Sequence, residues 1–342
     1  MKRIYSIDIL KLYFAYVIAF GHFGICMPGD FVAVKLFFVI SGFFLAKKFY
    51  SKSYISEGLF TCEKRYNHNQ YTIDHIKQLF PHYIFSYIVI MAYTLITYIP
   101  DVIKTEGLIS AAYLTVRQIY NTIPELLFVQ SSGFFDGCIN YPVWQINAII
   151  LCGYFIYTCM YYCEKLSVDL VFPVVFILFE TYWIIGRDPF INIGCLPATL
   201  TRGFAMMALG VIIYRFSVCE TYKMLCKKTV FYNLFSLFMS ACLFIFGRYN
   251  GVHMIAICVL ILYLYNSESW INRFFNRDIF KFCGNLSYAV YLNHAFVIKI
   301  VNSLFASGNN SFVSCIVLFI SLTAYSILTL KIVDTLKLHF KK

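Results

Sequence analysis

Predominantly apolar blocks of about 20 residues recur along the whole chain and constrain its fold more than any other feature. A helix of that length crosses the hydrocarbon core of a bilayer. Of the 342 residues, 60% are hydrophobic and only 13% are charged, whereas about 25% are charged in soluble domains. The pattern therefore predicts an all-α, polytopic membrane protein.

The apolar blocks predict about ten transmembrane helices within a single membrane domain that covers 1–342. Their predicted bounds are 4–25, 31–49, 80–99, 142–163, 168–186, 202–216, 229–247, 251–266, 285–305 and 312–334. Pro28–Gly29 and Pro100 mark ends of predicted helices. The stretch 107–129 is less apolar and carries Arg117 and Glu125, so we assign it to the outside as a surface helix.

The lysines and arginines give these helices an orientation. Of the 28, twenty fall in loops or end turns on the side of the N-terminus, five in those on the other side and three, Lys11, Lys35 and Lys299, deeper inside predicted helices. Basic residues concentrate in cytoplasmic loops, so both termini are predicted to be cytoplasmic. The lipid bilayer then accounts for the net charge of +11, and a nucleic-acid partner is not expected. The thirteen cysteines are scattered without a C-x-x-C pair, so no metal site is predicted.

The first predicted helix carries Asp8, Lys11 and His22. Ionisable groups inside a membrane are costly and usually functional. Lys11 and His22 point the same way and lie about 16 Å apart along the axis, a spacing that suits the two ends of a long ligand. Two plainer interpretations stay open. Asp8 and Lys11 share a face and would form an interfacial ion pair, and His22 would be a packed polar residue.

Three stretches resemble the membrane-bound acyltransferase-3 family, which includes bacterial O-antigen, capsule and Nod-factor O-acetyltransferases. IDILK at 7–11, followed by Gly21–His22, is similar to the family's opening helix. VKLFFVISGFFL at 34–45 is similar to its FFVLSGFLL motif, and GNLSYAVYLNH at 284–294 to its G-x-I-S-Y-x-I-Y-L-x-H motif. The three motifs occur in the family's order at the two ends of the chain.

The sequence departs from the family pattern at three places. Lys11 replaces the usual arginine ahead of the histidine, which keeps the charge and loses the bidentate fork. The R-x-x-R that precedes a proline reads HIKQLFP at 75–81, where Lys77 is a partial substitute. Trp144 of the family's Trp-to-Glu motif is present, but Ile149 occupies the acidic position.

The resemblance implies transfer of an acyl group, usually acetyl from acetyl-CoA, to a hydroxyl of a cell-surface carbohydrate or lipid-linked sugar in the bacterial inner membrane. His22 is then the catalytic histidine, acting as a general base or as the covalent acyl carrier. Cofactor-binding roles are predicted for Lys11, Ser41, Lys77, Tyr291 and His294, and a substrate-binding role for Trp144. Given the predicted orientation, Lys11 would meet the phosphates of acetyl-CoA from the cytoplasm.

Alternative roles for several of these residues stay open. Ser41–Gly42 would either allow close helix packing or place a polar group near the acyl chain. Ser287, Tyr291 and His294 share one helical face, which would be an interhelical hydrogen-bond network or a wall of the cofactor path. Aromatic residues of the outer loop 100–141, among them Tyr141, are candidates for sugar stacking.

Two other functions compete with the acyltransferase interpretation. A polysaccharide or small-molecule transporter would also have many spans and buried polar residues, although the internal repeats common in transporters are not evident in the sequence. A non-catalytic scaffold would fit the missing R-x-x-R.

Overall fold

The fold is nearly all helical in the part of the chain that the computed structural model describes. The described residues are 3–50, 53–56, 59–62, 67–133, 138–162, 174–175, 177–178, 197–227, 229–246, 250–275, 277–305 and 312–339. The helices are α1 (Tyr5–His22), α2 (Asp30–Phe49), α3 (His68–Glu106), α4 (Leu108–Asn121), α5 (Ile123–Leu126), α6 (Trp144–Tyr162), α7 (Ala198–Ser217), α8 (Glu220–Lys227), α9 (Thr229–Phe246), α10 (Asn250–Tyr265), α11 (Trp270–Phe275), α12 (Lys281–Leu304) and α13 (Phe312–His339). One antiparallel hairpin, β1 (Ser53–Ser56) with β2 (Leu59–Cys62), follows α2.

Most predicted helices are present close to their expected bounds. The helix predicted at 80–99 is much longer, because it starts where the Asn67 side chain accepts a hydrogen bond from the Asn69 N–H at 2.8 Å. It continues through Pro100 and ends at Gly107, whose φ of +89° suits glycine. The predicted surface stretch 107–129 forms α4 and α5, whereas the predicted helix at 168–186 lies largely outside the described residues.

The centre of the bundle is formed by α1, α2 and α12, which are the helices that carry the three family-like motifs. α1 packs along α12, α2 packs along α7 and α6, and α12 also contacts α13 and α3. Large apolar side chains such as Phe14, Leu36 and Phe43 are fully buried between these helices. The polar residues of α1, α2 and α12 are thereby brought together inside an apolar core.

α2 and α7 approach each other through glycines. A Cβ added at Gly42 would lie 2.0 Å from the carbonyl oxygen of Met207, and one added at Gly210 would lie 2.2 Å from that of Val39. Neither distance is possible without separating the two backbones, so each helix needs a glycine where the other crosses it. The packing interpretation of Ser41–Gly42 is therefore confirmed for Gly42.

Three helical segments among the described residues are long and apolar enough to cross a membrane, namely His68–Glu106, Tyr141–Tyr162 and Phe312–Lys337. Ala198–Ser217 with Glu220–Lys227, bent by 69°, would make a fourth if the pair forms one span. Exposed apolar side chains on α9, including Phe231, Leu234 and Phe238, suit contact with lipid tails. These features indicate a membrane protein, while the ten spans and the cytoplasmic termini stay predictions.

Candidate active site

Two histidines from distant parts of the sequence meet at one end of α1. The rings of His22, the last residue of α1, and His294, in the middle of α12, stack with centroids 5.3 Å apart and planes 13° from parallel. His294 is completely buried, whereas His22 is exposed. The imidazole of His22 is therefore accessible to water, whereas the imidazole of His294 stacked on it is enclosed by the bundle.

The segment before α6 forms the surroundings of the pair. The Tyr141 ring meets His22 edge-on at 4.8 Å and His294 at 5.8 Å. The carbonyl oxygen of the next residue, Pro142, accepts a hydrogen bond from the Tyr291 hydroxyl. Tyr141 is thus the one tyrosine of the outer loop for which the structure gives a contact with His22.

The hydrogen bonding of His294 fixes where its proton lies. Its Nδ1 is 2.7 Å from the backbone oxygen of Tyr291, and because a carbonyl only accepts, Nδ1 carries the hydrogen. In the neutral ring the lone pair is then on Nε2, which is buried and has no hydrogen-bond partner among the described residues. This nitrogen keeps a free lone pair, but the bundle encloses it.

A cavity of about 370 Å³ reaches Tyr291, one turn before His294 on α12, and neither His22 nor His294 is part of its lining. Its lining includes Lys11 and Ser41, together with Tyr291, whose ring is 5.7 Å from that of His294. Three residues with predicted cofactor roles, taken from α1, α2 and α12, therefore face one space. Tyr291 therefore lines the cavity and also contacts His294.

Lys11 does not have the partner that its sequence neighbourhood suggests. Asp8 forms its ion pair with Arg3, and Arg3 also donates to the Asn285 side chain at 3.2 Å. The Lys11 ammonium instead lies 5.0 Å from the centre of the Phe44 ring, at the cavity wall. The alternative interpretation, an ion pair between Asp8 and Lys11, is therefore not what the structure shows: Asp8 pairs with Arg3, and Lys11 lines the cavity.

On α3, the residues of the HIKQLFP stretch that line the cavity are His75, Gln78 and Leu79, whereas Lys77 is exposed and outside the lining. Residues three apart lie on the same side of a helix, so His75 and Gln78 face the cavity together and Lys77 points elsewhere. One turn later His82 also lines the cavity, where its Nε2 accepts a hydrogen bond from the Lys337 ammonium at 3.1 Å.

The remaining predicted residues have mainly structural contacts. The Ser41 hydroxyl lines the cavity but donates to the Phe37 carbonyl of its own helix at 2.8 Å. The Trp144 ring packs 6.3 Å from that of Phe38 and is not part of the cavity lining. The neighbouring Gln145 does line the cavity, and its Oε1 is buried without a hydrogen-bond partner in the described part of the chain.

Cavity residues that were not predicted from the sequence include His75, Gln78, His82 and Gln145, and Tyr141 was not predicted as the contact of the histidine pair. Polar residues near a helix end are common, so their presence alone does not indicate a site. The available signals were the spacing of the α3 residues along one helical face and the position of Gln145 next to Trp144. Each of these residues reaches the site through packing between distant helices.

Comparison with known proteins identifies one relationship. The family model described as an acyltransferase domain, that of the acyltransferase-3 family, matches residues 4–331. The chain has no significant match among curated proteins or among solved structures. The matched range contains the histidine pair and nearly all of the cavity lining.

Proposed function

The chain belongs to the acyltransferase-3 family, and from that premise we propose that it transfers an acetyl group from acetyl-CoA to a hydroxyl of a cell-surface carbohydrate. Acyl transfer is the general activity that membership indicates. The acetyl donor, the carbohydrate acceptor and the bacterial inner membrane are parts of the proposal.

One observation carries the proposal: a single cavity, with Lys11 in its wall, reaches Tyr291, which contacts His294 of the histidine pair. This arrangement suits a long donor that has phosphates at one end and a thioester at the other. The cation at the cavity wall would bind the phosphates, and the proton acceptor past Tyr291 would meet the thioester. In the predicted orientation Lys11 is nearer the cytoplasm, where acetyl-CoA is found, and His22 is nearer the outer face, where the glycan is found.

The histidine pair can supply the proton transfer that this reaction needs. The acceptor hydroxyl forms a C–O bond to the thioester carbonyl carbon while His22 removes its proton, and the C–S bond then breaks. The departing thiolate of CoA takes up a proton, which His22 can return. Alternatively, a ring nitrogen of His22 forms a C–N bond to the acetyl carbon as the C–S bond breaks and the CoA thiolate leaves. The acceptor hydroxyl then forms the C–O bond as the C–N bond breaks, and its proton passes to the freed imidazole. His294, stacked on His22, supports its ring in both routes.

Proton NMR of surface polysaccharide tests the proposed function. Polysaccharide from cells that lack the gene should lose an O-acetyl signal, and complementation with the wild-type gene should restore it. Equal O-acetyl content with and without the gene would overturn the acetyl–carbohydrate assignment and leave the family membership intact. Isolated membranes supplied with radiolabelled acetyl-CoA then give the transfer rate directly.

Lys11→Ala should raise the KM for acetyl-CoA by about tenfold or more, because a charge-assisted contact to phosphate is worth about 1.5–3 kcal/mol. The requirement for the glycan acceptor should change much less. The measurement is the initial rate of radiolabel transfer in membranes as each substrate is varied. Lys299→Ala is the matched control, since it removes an exposed lysine near the other end of α12. A larger effect of Lys11→Ala on the acceptor than on the donor would contradict this placement.

A further inference from the structure

A fully buried carboxylate is connected to the histidine pair through the segment before α6. Glu125, in α5, has no solvent exposure. Its Oε2 accepts hydrogen bonds from the backbone N–H groups of Ile139 at 2.8 Å and Asn140 at 3.4 Å. Its own backbone carbonyl accepts a hydrogen bond from the Tyr83 hydroxyl of α3. Glu125 therefore ties the start of the segment before α6 to α3 and α5.

The segment that Glu125 holds is the one that surrounds the histidines. The Asn140 side chain donates to the Leu292 carbonyl at 3.1 Å, which fixes the segment to α12 two residues before His294. The next residue, Tyr141, places its ring against both histidines, and Pro142 accepts the hydrogen bond of Tyr291. Any movement of this backbone would shift Tyr141, and with it the ring that packs on His22.

We propose that Glu125 is a positioning residue for the histidine pair, acting through the backbone of residues 139–142. The proposal rests on the proposed function, in which His22 performs the proton or acyl transfer. Glu125 itself contacts neither the cavity lining nor either histidine among the described contacts.

Desolvation makes this support sensitive to pH. Burial raises the pKa of Glu125 to about 7, although the two backbone N–H groups lower it. The titratable groups that face it are the hydroxyls of Tyr83 and Tyr87 from α3 and the thiol of Cys138. Among the described residues no cation contributes to the pKa of Glu125, and its Oε1 is buried without a hydrogen-bond partner there. The raised pKa means that the folded state favours the protonated form of Glu125. The contribution of Glu125 to stability is therefore fully present below its ordinary pKa and is lost as the pH rises through about 7.

Two substitutions separate positioning from simple stability. Glu125→Gln keeps an oxygen that can accept from the two N–H groups but cannot ionise, whereas Glu125→Ala removes the acceptor. Asn233→Ala is the matched control, because the buried Asn233 also fixes a loop, by accepting from the Trp270 N–H at 2.9 Å. None of its described hydrogen bonds is to the histidine pair or to residues 139–142. Radiolabelled acetyl transfer in membranes is measured from pH 5.5 to 8.5, per amount of folded protein.

The expected result is a fall in kcat of about tenfold or more for Glu125→Ala, because small misplacements of reacting groups are costly, with little change in KM for acetyl-CoA. Wild-type kcat should decline above pH 7, and Glu125→Gln should retain most of kcat without that decline. Asn233→Ala should reduce the amount of folded protein without changing kcat. Wild-type kcat and pH profile in both Glu125 variants would overturn the proposal, whereas wild-type membranes that fail to transfer acetyl would instead overturn the proposed function.

Discussion

His22→Ala should lower acyl transfer by a factor of about 10²–10⁴, the range that a positioned general base contributes. The loss should appear in kcat, because His22 lies outside the cavity lining that we assign to the donor. The buried His294 cannot replace it readily, since its Nδ1 is committed to the Tyr291 carbonyl and its free nitrogen is enclosed. The measurement is the rate of radiolabel transfer from acetyl-CoA in membranes containing equal amounts of each variant.

His68→Ala is the matched control for the loss of a histidine ring. His68, at the start of α3, also packs among aromatic rings, but it is buried and its neighbours are Tyr154, Tyr161 and Tyr162 of α6. It should leave kcat per folded molecule unchanged. Transfer at the wild-type rate in His22→Ala would contradict both catalytic routes and would favour the transporter or scaffold interpretation.

Gly42→Ala should prevent the protein from accumulating in the membrane in folded form. The added methyl group would lie 2.0 Å from the Met207 carbonyl oxygen, and a backbone atom cannot move aside as a side chain does. Overpacking usually lowers the free energy of unfolding by about 1–3 kcal/mol. Gly42→Ala should cost at least the upper value, because α2 and α7 would have to separate. The measurement is the thermal unfolding midpoint of detergent-solubilised protein, together with its yield.

Gly153→Ala provides the comparison for Gly42→Ala. A Cβ there would meet the flexible end of the Met207 side chain at 3.4 Å, a contact that a small rotation relieves. Its unfolding midpoint should stay close to that of the wild type. Similar midpoints for the two variants would show that the close crossing of α2 and α7 does not limit stability.

Local sequence was sufficient to predict most helices, because long apolar runs that end at turn residues leave few other structures. It was less successful for α3, where the helix continues through Pro100 and begins twelve residues before the predicted position. Proline is tolerated in membrane helices when the freed backbone group finds other partners, so its presence alone does not end them.

The candidate site was only partly predictable. Lys11, Ser41 and Tyr291 belong to motifs that resemble the family, and they do line one cavity. Lys77 came from the same reasoning but points away, because a one-residue change of position on a helix rotates a side chain by about 100°. Glu125 looked like a residue of a surface helix, yet it is completely buried.

By itself the sequence determined the helical class, the positions of most apolar helices and the family, since these depend on composition, periodicity and short motifs. The tertiary structure decided which polar residues meet: His22 with His294 across a separation of 272 residues in the chain, and Glu125 with the backbone of Ile139 and Asn140. The physical reason is that side-chain partners are set by how helices cross and by where glycines let them approach. Those contacts depend on the packing of the whole bundle rather than on any one segment.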